Sequence, residues 1–285
     1  MDKRDSIIGV DVGGTSMGVG LIRNGELVKY TEGPTGAHRS AEEVLDTLCA
    51  LIDEVIDGSC RGIGIGVPGL IDVENGRIFN INNIPAWRNY ELRREVSNRF
   101  NCPVFINNDA NCFALGEFFF GKGGQVKSLV GITLGTGVGA GVVTNRSLHT
   151  GILGCAGEIG GIPYLDADFE AYCSNKYFLR EAEMSGKECF LLAEKGDKWA
   201  LNHFHQFGVH LGKLINTVLF VLAPEKVVIG GTVANGFKYF QGGLMASLQT
   251  FPYKPIYERF SIEVSFLEHG AVFGAAALVL NSEFN

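Results

Sequence analysis

Apolar positions along the chain follow two periods. Ser6–Val12 is a nearly unbroken apolar run, and residues 17–22 and 26–32 continue as strands joined by the turn Arg23-Asn-Gly25. Ser40-Ala-Glu-Glu43 is a capping box. After it Val44, Leu45, Leu48, Leu51, Ile52, Val55 and Ile56 keep helical spacing, which predicts a helix over about 41–57. Residues 62–67 form a buried strand whose glycines imply close backbone packing, and Pro68-Gly69 ends it. A short helix over 91–100 follows, then a strand over 103–107 and a helix over 110–120 with Asp109 as its N-cap.

The same order restarts at residue 126. Leu129–Leu134 and Val138–Thr144 read as a second hairpin, and this is a structural repeat of the first half, since residue identity between the halves is slight. A long helix spans 200–222, with Phe204, Phe207, Leu211, Leu214, Ile215, Val218, Leu219 and Leu222 on one broad face and Pro224 closing it. Strands over 226–229 and 262–266 and an apolar, alanine-rich helix over 270–280 complete the chain.

Each hairpin turns on a glycine-rich loop, Asp11-Val-Gly-Gly-Thr15 in the first half and Leu134-Gly-Thr-Gly-Val-Gly139 in the second. Glycines let backbone N–H groups approach an anion, and a threonine hydroxyl adds a donor to each loop. Neither loop contains Lys or Arg, so a bound nucleotide needs Mg²⁺ to neutralise its phosphates, and Asp11 is the natural carboxylate to hold the hydrated ion. A third glycine turn is Gly230-Gly-Thr232. Either of the first two loops alone reads equally well as a plain turn; their repetition is the argument.

A length of 285 residues with 46% hydrophobic content suffices for two domains. The net charge of −7 and the lack of any basic run argue against a nucleic-acid surface. Met-Asp-Lys-Arg leads directly into a strand with no signal-peptide core, and the late apolar run over 214–223 is interrupted by Asn216 and Thr217, so no membrane span and a cytoplasmic location are expected. Seven cysteines (49, 60, 102, 112, 155, 173 and 189) are scattered and never spaced C-x-x-C, which disfavours a disulfide framework. His203 and His205 lie two apart in a helix, face different directions, and read as surface residues.

Read in order, several stretches resemble the ROK family (repressors, open reading frames and sugar kinases) of the actin-like ATPase superfamily. They are Asp11-Val-Gly-Gly-Thr15, Val67-Pro-Gly69, Asn83-Ile-Pro-Ala-Trp87, Asn108-Asp-Ala-Asn111 with Ala114-Leu-Gly-Glu117, Thr133-Leu-Gly-Thr-Gly-Val-Gly-Ala-Gly141, Gly157-Glu-Ile-Gly160 and Val228-Ile-Gly-Gly231. The resemblance implies an α/β protein of two actin-like (ribonuclease H-like) lobes closing over a cleft for ATP and a sugar. The lobes are expected over 1–118 on the sugar side and 119–269 on the nucleotide side, with a short hinge near 118 and the helix 270–285 returning to the first. It implies a homodimer and ATP-dependent phosphorylation of a hexose 6-hydroxyl.

By the same resemblance Asp109 is the catalytic base, a role its chemistry permits because a carboxylate at a helix start can take the proton of a primary hydroxyl. Taken alone, Asp109 is equally an N-cap. Asn83, Asn108, Glu158 and Glu170 match sugar-contacting positions, with Gly13, Gly14, Thr15, Gly135, Thr136 and Gly137 at the phosphates and Gly230 and Gly231 at the adenosine. Asn83 would also pass for a turn residue and Glu158 for a surface carboxylate.

One segment departs from the family pattern. The family has a His after Glu-x-Gly and then a three-cysteine loop that binds structural zinc; here Gly161 replaces the His, and the chain runs from Ile162 directly to Glu170-Ala-Tyr-Cys-Ser174. No zinc is therefore expected. The space left by the His is either open, which admits an N-acylhexosamine such as N-acetylmannosamine beside glucose, or refilled by Tyr164 or Tyr172, which keeps glucose. A family fructokinase and a non-catalytic sugar sensor are the alternatives. Given the short approach to the first strand, the helix-turn-helix of the repressor branch is not expected.

Overall fold

The computed structural model describes residues 5–81 and 83–282. The Met-Asp-Lys-Arg start and the end of the expected 270–285 segment lie outside the described residues. The elements run β1 (Ser6–Val12), β2 (Ser16–Arg23), β3 (Glu26–Pro34), α1 (Ala41–Val55), β4 (Cys60–Val67), β5 (Leu70–Asp72), β6 (Arg77–Asn80), α2 (Leu92–Ser97), β7 (Val104–Asn108) and α3 (Asp109–Phe119). They continue with β8 (Leu129–Leu134), β9 (Val138–Thr144), β10 (Ser147–His149), β11 (Pro163–Tyr164), β12 (Ala167–Asp168), α4 (Phe169–Cys173), α5 (Asn175–Glu181), α6 (Gly186–Glu194) and α7 (Lys198–Val221). The last elements are β13 (Lys226–Gly230), α8 (Phe237–Leu248), α9 (Lys254–Tyr257), β14 (Ser261–Val264) and α10 (Gly270–Asn281).

Two five-stranded sheets share one topology, β3-β2-β1-β4-β7 and β10-β9-β8-β13-β14. In the first, β1 to β3 are antiparallel, while β4 and β7 add in parallel to β1. In the second, β13 lies parallel to both β8 and β14. The repeated order explains why two halves with little residue identity carry the same hairpin-and-glycine theme. Two compact units are delimited, one of Met1–Gln125, Gly141–Ala156 and Phe266–Asn285, the other of Val126–Ala140 and Gly157–Ser265. No helix among the described residues is long and apolar enough to cross a membrane.

Local chemistry accounts for the elements. Asn24 and Gly25, both at positive φ (53° and 81°), make the β2–β3 turn that a right-twisted hairpin favours. The Ser40–Glu43 capping box forms at the start of α1, whose buried face carries Val44, Leu45, Leu48, Leu51, Ile52 and Val55. Helix α10 lies on β1 and β4 at backbone distance: a Cβ on Gly9 would stand 1.9 Å from the Val272 carbonyl oxygen, and one on Gly64 1.8 Å from that of Ala275. The close packing expected of the 62–67 glycines is thus directed at α10 for Gly62 and Gly64, and at Cys112 of α3 for Gly66.

His203 departs from expectation. Its ring is half buried against Trp199, with centroids 4.2 Å apart, and its Nδ1 is shielded without a hydrogen-bond partner, because α7 turns this face toward its neighbours. His205 is exposed. All seven cysteines are free thiols.

Gly64→Ala should lower stability by about 1–3 kcal/mol, since the added methyl must displace backbone rather than a side chain. Urea unfolding checks this: an unchanged midpoint would mean that α10 yields at no cost.

Candidate active site

In the first unit the parallel register sets Asp11 beside Gly66 and Gly66 beside Asn107, at the carboxyl edge of β1, β4 and β7. Ligands in open α/β sheets bind at this edge. Asp109 follows as the first residue of α3 and is exposed. The expected N-cap is corrected by one residue. Asn108, still extended at φ −64° and ψ 146°, is the cap, and its Oδ1 accepts the Ala110 N–H at 2.9 Å. Asp109 Oδ1 accepts the same N–H at 2.9 Å. A cap residue must be non-helical, and the strand does not end until Asn108.

Asn108 also donates from Nδ2 to the Gly69 carbonyl at 3.1 Å, leaving one amide hydrogen and one lone pair for a ligand. Below it, buried Asn107 accepts at Oδ1 from the Asn108 N–H (2.8 Å) and from Asn111 Nδ2 (2.9 Å), and Asn111 Nδ2 donates further to the Gly154 carbonyl at 3.0 Å. This net fixes the strand end that presents Asp109.

The first glycine loop closes through the Gly13 N–H, which donates to the Ser16 carbonyl at 2.9 Å. Buried Thr35 buttresses it from β3. Its N–H donates to the Thr15 carbonyl at 2.9 Å and its hydroxyl to that of Gly13 at 2.7 Å. Sequence reasoning missed Thr35, since only tertiary pairing brings it to the loop. Gly14 packs on Asn83, whose Cβ would lie 2.7 Å from an added Cβ, so the loop and this candidate sugar residue are neighbours. The first unit therefore brings together Asp11, Gly13, Gly14, Asn83, Asn108 and Asp109, with Thr15 exposed at the loop tip.

In the second unit the Gly135 N–H donates to the Gly137 carbonyl at 3.0 Å, and the Asn175 N–H donates to the Gly135 carbonyl at 2.8 Å. Thr136 is exposed between them. Glu170 lies against the same loop: its Oε2 accepts the Val138 N–H at 3.1 Å, its Oε1 pairs with Lys176, and a Cβ on Gly137 would stand 2.3 Å from Oε2. Gly230 pairs with Thr133, and Gly231, at φ 86°, brings its turn onto Leu134, where a Cβ would lie 2.4 Å from the carbonyl oxygen. A cavity of about 670 Å³ opens beside this turn, lined by Asn175, Phe178, Phe190, Phe204, Val233 and Asn235.

Glu158 is exposed just before the turn Ile159–Gly161. A Cβ at Gly161 would meet nothing within 4 Å. Tyr164 does not refill that space. It stacks on Phe169 with centroids 4.3 Å apart and bonds His210 Nδ1 at 3.1 Å, while Tyr172 meets Tyr164 edge-on and bonds Asp166.

A profile of the ROK family matches residues 7–282. The chain belongs to the ROK family. It is 31% identical over 306 residues to a glucokinase of Thermotoga maritima, spanning 96% of each chain. It is also 30% identical over 255 residues to an N-acetyl-D-glucosamine kinase of Shigella flexneri, spanning 80% of this chain and 84% of the relative. Among solved structures, a ROK glucokinase of Streptomyces griseus in complex with glucose and AMPPNP aligns with a TM-score of 0.78 and 25% identity, covering 96% of this chain and 98% of that one. The fold of this ROK chain is that of the actin-like ATPases, two lobes each built on a sheet.

The carboxyl pair of this ROK chain bears on cation binding. Burial, reinforced by the negative charge of Asp109, pushes the Asp11 carboxyl up to about 6 from its ordinary 3.8. A divalent cation relieves such repulsion, and one half-buried carboxylate suits a hydrated Mg²⁺ better than an all-protein cage. Among the described residues no group of three or more His, Cys, Asp or Glu is placed to hold a metal ion.

Because the folded pKa of Asp11 is raised, its ionisation opposes folding, and stability falls as pH rises from about 4 to about 6. In Mg²⁺-free buffer Asp11→Asn should therefore gain stability over the parent on going from pH 4 to pH 7, on the order of 2 kcal/mol. Denaturation midpoints at the two pH values test this, and an equal difference at both would remove the carboxyl from the account.

Proposed function

We propose that this ROK-family hexose kinase transfers the γ-phosphoryl group of ATP to the 6-hydroxyl of an aldohexose, glucose or a 2-acetamido derivative. The observation that carries the reading is the seat of Asp109, on a helix start at the carboxyl edge of three parallel strands, in a chain that matches a glucokinase along 96% of its length. Asp109 accepts the hydroxyl proton as the oxygen attacks. Asn83, Asn108, Glu158 and Glu170 orient the sugar hydroxyls, and the loops Gly13 to Thr15 and Gly135 to Gly137 receive the phosphates through the amides of Gly14, Thr15, Thr136 and Gly137, those of Gly13 and Gly135 closing the turns. Gly230 and Gly231, with the cavity beside them, take the adenosine. Asp11 would hold Mg²⁺ through water, and that ion when bound neutralises charge on the phosphates. The reading includes a homodimer, carried by the family resemblance, and a cytoplasmic location, carried by the lack of a signal-peptide core and of a long apolar run.

Open space at Gly161 supports the 2-acetamido sugars as well as glucose, because no neighbour occupies the side of the pocket that a larger residue would fill. An ADP-release assay across a sugar panel tests the activity and separates it from a sensor that binds sugar without turnover. Asp109→Asn should leave sugar affinity within a few-fold while lowering kcat about a thousandfold, since it keeps the shape and removes the proton acceptor. Unchanged turnover would remove Asp109 from the chemistry.

Fructose should be a poorer substrate by about tenfold or more in kcat/KM, because hydrogen-bonded hydroxyls discriminate more sharply than apolar volume. A panel led by fructose, with glucose and N-acetylmannosamine near background, would favour the fructokinase alternative.

A further inference from the structure

The two glycine loops contain neither Lys nor Arg, yet a cation stands close to the second. Lys176 is the second residue of α5, and the residue before it, Asn175, donates its backbone N–H to the Gly135 carbonyl at 2.8 Å. The start of this helix is therefore tied to the loop itself. The Lys176 ammonium pairs with Glu170 Oε1, and the other oxygen of that carboxylate accepts the Val138 N–H at 3.1 Å. One carboxylate thus separates the ammonium from the loop backbone. Asn175 also lines the cavity beside Gly231, so this one residue touches the base-sized space and the glycine loop and precedes the lysine.

We infer that Lys176 is a phosphate-binding residue for the nucleotide, exchanging its bond to Glu170 for a bond to the phosphate chain held by Gly135 to Gly137. The inference rests on the kinase reading above. The exchange is inexpensive because the pair is open to solvent, with the Lys176 side chain 52% and the Glu170 side chain 31% exposed, and such pairs contribute little. A polyphosphate offers the ammonium more negative charge than a single carboxylate does.

Isothermal titration of ATP into the intact protein, without and with Mg²⁺, tests this. Lys176→Ala should weaken ATP binding about tenfold and flatten its dependence on salt, whereas Lys176→Arg should stay within about threefold of the parent. Glucose affinity measured without nucleotide should change less than about twofold in both variants. An unchanged ATP affinity in Lys176→Ala, or a loss confined to glucose, overturns the assignment and leaves Lys176 as a prop for Glu170. A parent protein that binds no ATP overturns the kinase reading itself, a result distinct from either. Circular dichroism of the variants excludes misfolding as the source of any loss.

Discussion

The first unit depends on one helix that touches backbone on several sides at once. Helix α10 meets β1 at Gly9, β4 at Gly64 and α3 at Gly116, where an added Cβ would lie 2.9 Å from the Gly274 Cα. In return Gly274 lies against α3, and a Cβ there would stand 2.3 Å from the Cys112 carbonyl oxygen. Glycine at each crossing removes the side-chain layer that normally holds helix and sheet about 10 Å apart. The carboxy-terminal segment thereby fixes α3 against the sheet, and the first residue of α3 is Asp109. A candidate catalytic carboxylate is placed by residues more than 150 positions away in sequence.

The buried amides under Asp109 extend that constraint. Asn111 Nδ2 donates to Asn107 Oδ1 and to the Gly154 carbonyl, so the end of β7, the first turn of α3 and the 152–154 turn are held by one net, while Asn111 Oδ1 is buried without a partner among the described residues. Buried polar groups of this kind are costly unless paired, and when paired they specify one geometry. On the far side of β4, Thr35 gives the first glycine loop the same treatment with its hydroxyl and its N–H. Asp11 sits between the two devices. Its raised pKa comes first from burial and then from the charge of Asp109 at the same sheet edge, and a bound cation relieves both.

Much of this was legible in the chain because the informative signals are local. The Asn24-Gly25 turn, the Ser40–Glu43 box and the apolar period of α7 each need only a few neighbouring residues to be read. The elements that escaped are those whose identity is tertiary. β11 and β12 have two residues each and α4 has five, too few for a period to register. Helix α8 contains Gly242-Gly243, which reads as a breaker, yet a Cβ on Gly243 would lie 2.0 Å from the His205 carbonyl oxygen, so the glycine serves a close crossing with α7. The cap moved from Asp109 to Asn108 for a similar reason, since where a strand releases its last residue depends on its partner. Motif order supplied the candidate residues, and the buttressing by Thr35 and the engagement of Glu170 required the fold.

The segment between Gly161 and Glu170 is held by tertiary packing. Between Gly161 and Glu170 the chain makes a two-residue hairpin, and aromatic packing does the work of holding it: Tyr164 stacks on Phe169, Tyr172 meets Tyr164 edge-on, and Arg180 lies 4.8 Å above the Tyr172 ring. The polar tips are also satisfied, Tyr164 by His210 on α7 and Tyr172 by Asp166. Burial lowers the His210 pKa, so the neutral ring that can accept from the tyrosine hydroxyl is the favoured form. Rings turned toward α7 cannot also line the space at Gly161, and that space stays open. Under the proposed function, selectivity beside Gly161 must come from fixed donors and acceptors, because open volume accepts what a filled one would exclude without itself preferring any hydroxyl configuration.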